Sequence, residues 1–213
     1  MPYEPGPFST PHWYLQWGGK LPGNEQWSCG LRLAPESGVT PINDPAMLAT
    51  AVTAVQAFHT SPDSKIGAAA KLSFVKLNLL DVNGRYVEDI TMETPIADVA
   101  GGTASTFPNQ VALAISLTTG FSRGPAHRGR FYIPVPGVPV EATSGLITAA
   151  MATTIKGAAQ TFVNALNAMP NAYVAVMSRK FGSPAVRAVT GIEVGRVLDT
   201  QRRRRRSLAE DYS

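Results

Sequence analysis

The 213-residue sequence predicts an α+β fold, mainly antiparallel sheet with two principal helices and extended Pro/Gly-rich arms. Three observations carry that expectation. Alternating apolar stretches occur in neighbouring pairs separated by turn residues. Only two stretches space their apolar residues at helical intervals, each with its own start and stop signals. The order is two strands, helix, hairpin, two strands, helix, two strands, which lacks the βα alternation of a parallel sheet. No period of ~20–50 residues repeats.

Residues 1–11 carry Pro2, Pro5, Pro7 and Pro11, too many for a central strand, and read as an arm. Tyr3 and Phe8 are its candidate anchors; a loose terminus is the equal alternative. Trp13, Leu15 and Trp17 alternate, as do Trp27, Cys29, Leu31 and Leu33, so two strands are expected around a Gly/Pro loop from Gly18 to Asn24. Residues 34–44 read as a loop. Asp44 is the expected N-cap and Pro45 the first helical residue of a helix to about His59, with Leu48, Val52, Val55 and Phe58 or His59 inside. Ser61-Pro62-Asp63 closes it.

Lys71 to Leu80 reads as a strand, Asn83-Gly84 as a hairpin turn, and Arg85 to Thr91 as the returning strand. Met92 to Asn109 is small and polar, and is expected to be a long surface loop. Gln110 to Thr118 alternates again, with Val111, Leu113, Ile115 and Leu117 on one face. A glycine-punctuated basic loop (119–130) leads to a short strand, Phe131 to Val135. Thr143 or Ser144 is the expected cap of the second helix, whose stripe is Ile147, Met151, Ile155, Ala158, Phe162, Leu166 and Met169. Ala and Thr fill much of its remainder, which predicts close packing on more than one side. Pro170-Asn171 ends it. Tyr173 to Ser178 and Val186 to Leu198 are the last strands, the latter delivering five arginines, Arg202 to Arg206, to one rim. The organisation is an arm (1–11), a single domain (12–198) and a basic C-terminal segment (199–213).

Charged residues make up 16% of the chain, fewer than the usual quarter, as in a subunit whose surface is covered by neighbours. Taking Arg202 to Arg206 from the net charge of +4 leaves the rest at −1, a near-neutral body with a basic end. One cysteine, Cys29, excludes an internal disulfide framework and a cysteine-based zinc site. No signal peptide is read at the N-terminus, and no window reaches the ~20 apolar residues of a membrane span.

No motif carries chemistry. The histidines have no metal-ligand spacing, and neither a Gly-x-Ser-x-Gly elbow nor a phosphate loop occurs. Catalytic, cofactor and metal residues are therefore assigned to none. Asp81, Glu88, Asp89, Glu93 and Asp98 cluster around the hairpin and read as a solvated face rather than a cation site. Trp13, Trp17 and Trp27 read first as packed core, with a sugar- or base-stacking platform as the alternative. Arg123, Arg128 and Arg130 are candidate anion or interface contacts; internal pairing is the competing use. Arg202, Arg203, Arg204, Arg205 and Arg206 fit a nucleic-acid tail, or pairing with acids of an adjacent subunit.

Arg128-Gly129-Arg130-Phe131-Tyr132-Ile133-Pro134 and Val194-Gly195-Arg196-Val197-Leu198-Asp199-Thr200-Gln201-Arg202-Arg203-Arg204-Arg205 together resemble virion structural proteins of tailed bacteriophages. Leu15-Gln16-Trp17-Gly18-Gly19 and Trp27-Ser28 are similar to the opening of the same proteins. The resemblance implies a non-enzymatic virion subunit, from the tail, head–tail junction or baseplate, or a capsid component. Such a subunit is made in the host cytoplasm and works as a homo-oligomer in contact with other virion proteins, away from membranes. The alternative is a nucleic-acid-binding or genome-contacting coat protein that uses the two arginine groups.

Overall fold

The computed structural model describes residues 10–20, 26–36, 38–64, 71–99, 110–119, 128–136, 148–175 and 186–196. Ten elements follow in chain order: β1 (His12–Lys20), β2 (Gln26–Pro35), α1 (Pro45–Thr60), β3 (Lys71–Leu80), β4 (Tyr86–Val99), β5 (Gln110–Thr119), β6 (Arg128–Pro136), α2 (Ala149–Asn167), β7 (Ala172–Ala175) and β8 (Val186–Arg196). They form an α+β fold with a five-stranded sheet of order β4-β3-β1-β2-β7 and a three-stranded sheet of order β6-β5-β8. Every pairing is antiparallel.

Register follows the apolar alternation, because a slip by one residue would move each strand's buried set to the opposite face. Trp13, Leu15 and Trp17 stand opposite Leu33, Leu31 and Cys29 on β2, and opposite Leu79, Leu77 and Val75 on β3. All of these belong to one buried cluster, which Leu48, Val55 and Phe58 of α1 and Ile155, Phe162 and Leu166 of α2 complete. Both helices thus pack on the same face of the larger sheet. Each fully buried side chain of this kind contributes about 1.5–3 kcal/mol.

The helix signals act as expected at α1. Asp44 is extended, its Oδ1 accepts from the Ala46 amide at 2.8 Å, and Pro45 opens the helix. At α2 the cap is Thr148, whose Oγ1 accepts from the Met151 amide at 3.2 Å, rather than Thr143 or Ser144. The helix ends at Asn167, and Asn171 adopts φ 63°, turning the chain into β7. The Asn167 Oδ1 accepts from the Val174 amide at 2.7 Å and ties that turn shut.

Four other expectations are corrected. β1 continues through Gly18 and Gly19 to Lys20, where a loop was expected, and β2 continues to Pro35. β4 runs to Val99 instead of ending at Thr91, so Met92 to Val99 is strand. The reason is its position: β4 is an edge strand, and an edge tolerates Pro95 and the irregular register it shows against β3. β6 starts at Arg128, so Arg128 and Arg130 lie in a strand rather than a loop. β7 is described only as Ala172–Ala175. Residues 1–9 of the N-terminal arm, the 100–109 segment, Arg123 and Arg202 to Arg206 lie outside the described residues.

Candidate interaction surface

The tryptophans are structural, which corrects the platform reading. Trp13, Trp17 and Trp27 are 1%, 1% and 5% exposed, so no ring face is open to a sugar or base. The Trp13 indole donates to the Ile42 carbonyl at 2.8 Å, fastening the approach to α1 onto β1. The Trp27 indole donates to the Lys71 carbonyl at 3.2 Å and stacks on His59 with ring centroids 6.1 Å apart. These two buried N–H groups have partners, as an aromatic core requires. Cys29 is buried too, and burial pushes its thiol well above its usual range.

Asp81, from the acidic group, is a turn residue. Its Oδ1 accepts from the amides of Asn83 and Arg85 at 2.8 Å each, and those bonds hold its carboxyl below the usual range. Gly84, at φ 80°, supplies the left-handed step of the hairpin. Among the described residues no three His, Cys, Asp or Glu gather in a way that could hold a metal ion, and no helix is long and apolar enough to cross a membrane.

On the sheet face away from the helices lies a group that sequence reading missed. His12 is 0% and Arg32 7% exposed, and the Arg32 Nη1 contacts the His12 Nε2. Guanidinium only donates, so Nε2 must accept, and the proton sits on Nδ1, which faces the Thr10 carbonyl at 3.2 Å. The Tyr14 ring lies 5.8 Å below the same guanidinium and covers Gly30, where an added Cβ would strike its phenol. Burial, then the Arg32 charge, lowers the His12 pKa to about 4, against smaller opposing effects of the Thr10 carbonyl and Asp81.

That lowering has a sign. The folded chain refuses a proton that the unfolded chain accepts, so the contribution to stability is complete above pH 6.5 and is lost as pH falls toward 4. The loss amounts to about 2–3 kcal/mol. Denaturant unfolding of wild type and His12→Gln between pH 7 and 4 checks it. The wild type should lose more stability than the variant across this window, and parallel curves would refute the assignment.

The surface that stands out is the outer side of the helix pair. α1 has no charged residue, its one histidine, His59, being buried, and α2 has only Lys156. Solvent-facing helix surfaces ordinarily carry charged and polar residues. Here the exposed positions include Ala49, Thr50, Thr53 and Ala57 on α1 and Thr153, Gly157, Thr161 and Ala165 on α2. Between the helices lies an open groove of about 650 Å³, floored by Ala54, Phe58 and Phe162, walled by small residues of both helices, and bordered by Ser61 and Asp63 just past α1. The threonine hydroxyls of this face, such as Thr153 and Thr161, bond back to carbonyls one turn earlier, at 2.9 and 3.1 Å, leaving their methyl groups to define its character.

Of the arginine candidates, Arg128 and Arg130 occupy β6, an edge strand of the smaller sheet, in register with Thr118 and Ser116 of β5. Comparison with protein-family models, with curated proteins and with solved structures gave no match.

Proposed function

We propose that this chain is a non-enzymatic structural subunit of a tailed-phage virion, from the tail, head–tail junction or baseplate, or a capsid component. It acts by self-association and by contact with other particle proteins, and resides in the particle after synthesis in the host cytoplasm. The observation that carries this reading is the outer side of α1 and α2, which is exposed yet holds a single charge, Lys156. A helical face without charges is suited to burial against protein, where charges are depleted. The phage-like segments around Arg128–Pro134 and Val194–Arg205 point to the kind of particle.

A second reading, genome contact, is favoured by one observation. Arg128 and Arg130 stand two positions apart on β6, a backbone spacing of about 7 Å, which suits contact with successive phosphates. Sedimentation of the purified chain with and without nucleic acid, across a salt series, separates the two. The subunit reading expects a homo-oligomer of defined copy number that persists in high salt, and impaired assembly when Arg202 to Arg206 are replaced by serine. Genome contact expects nucleic-acid binding that weakens with a log–log slope of about −4 and disappears in the serine variant. A wild-type chain that stays monomeric throughout and binds nucleic acid in this way overturns the subunit reading.

A further inference from the structure

We propose that a second copy of this chain docks on the outer face of the helix pair, with the two α2 helices crossing at Gly157 about a two-fold axis. The inference rests on the subunit reading above and assigns self-association to particular residues. Glycine inside a helix is unfavourable, and nothing among the described residues requires it at position 157. Its backbone is helical, and a Cβ added there meets no atom within 4 Å. A neighbour whose backbone approaches closely would supply that requirement.

The residues around Gly157 are arranged for such an approach. Thr153, Gly157, Thr161 and Ala165 recur at four-residue steps, are all exposed, and all border the groove. Rows at this spacing are the ridges and grooves along which helices interdigitate, and glycine makes the low point of the row. A second copy is the occupant that charge favours. Each face carries Lys156 on α2 and Asp63 at the rim of the groove, so two identical faces meet without a net like charge, whereas nucleic acid or a strongly charged protein would find no complement there. The area is sufficient. α2 is about 28 Å long and the pair about 20 Å wide, so two faces bury about 1,100 Å² between them. A specific interface needs about 1,000 Å².

Sedimentation and thermal melts of the full-length wild type, Gly157→Ala and Gly157→Leu test this. In the monomer the space is open, so Gly157→Ala raises the melting temperature by about 2–4 °C at dilutions where the wild type is dissociated. In association the added atoms obstruct the crossing. Gly157→Ala then weakens self-association about tenfold, and Gly157→Leu about 100-fold. Gain of monomer stability with loss of association is the expected pair of results, because a residue serving only the fold would not move them oppositely. Gly157→Cys on the axis is expected to give a covalent dimer under an added oxidant. If Gly157→Leu associates as the wild type does, or the cysteine variant yields no linked dimer while the chain still self-associates, this interface is wrong and the subunit reading stands. If the wild type does not self-associate at its highest soluble concentration, the subunit reading itself has failed.

Discussion

Trp17→Ala is expected to destabilise the fold by about 3–5 kcal/mol, lowering the melting temperature by roughly 10 °C. Trp17 sits at the middle of β1 with Cys29 and Val75 as its cross-strand partners. Its ring meets Phe162 edge-on at 5.4 Å between centroids, and Phe162 in turn stacks on Phe58 at 4.7 Å. One side chain therefore joins the sheet to both helices. The void left by alanine has little means of closing, since β1 is held on both sides by paired strands. Tyr86→Ala supplies the contrast: that ring is 60% exposed, and its loss should stay within about 0.5 kcal/mol. Guanidinium unfolding midpoints decide the matter, and a Trp17→Ala cost below about 1 kcal/mol would show that the ring is not the keystone described here.

The strands around that ring were legible because burial is one-sided. Trp13, Leu15 and Trp17, and Trp27 through Leu33, alternate in the chain as they do in space, and Asp44-Pro45 marks the start of α1 at the right residue. Legibility failed where tertiary position outweighs local composition. Met92 to Val99 has the small polar residues of a loop, yet β3 recruits it as an edge strand. Thr148 caps α2 in preference to two equally plausible hydroxyl residues upstream, a choice that local sequence leaves undecided.

Buried polar contacts were harder still. His12 and Arg32 are twenty positions apart, and only the β1–β2 pairing makes them neighbours. The excess of Ala and Thr in α2 predicts close packing on more than one side. Within the chain its inner side is satisfied by Ile155, Phe162, Val163 and Leu166, and the outer side is left exposed.

Gly19→Ala is expected to cost about 3–5 kcal/mol, far beyond the usual consequence of adding one methyl group. Gly18-Gly19 reads in sequence as the beginning of a loop, but both residues are in β1, at the register shift against β3. A Cβ on Gly19 would run into the Lys71 carbonyl oxygen and lie 2.8 Å from both the Lys71 carbonyl carbon and the Ser73 amide nitrogen. These are backbone atoms of a paired strand, which cannot rotate aside as a side chain would. The same carbonyl accepts the Trp27 indole N–H, so pushing it away also strands a buried donor. Overpacking and the lost hydrogen bond therefore act on one atom, and each costs about 1–3 kcal/mol. Trp27→Phe, which removes the donor, separates them: Gly19→Ala should cost less in that background than in wild type. Equal costs in the two backgrounds would mean that the indole bond survives the displacement and that steric crowding alone makes glycine necessary here.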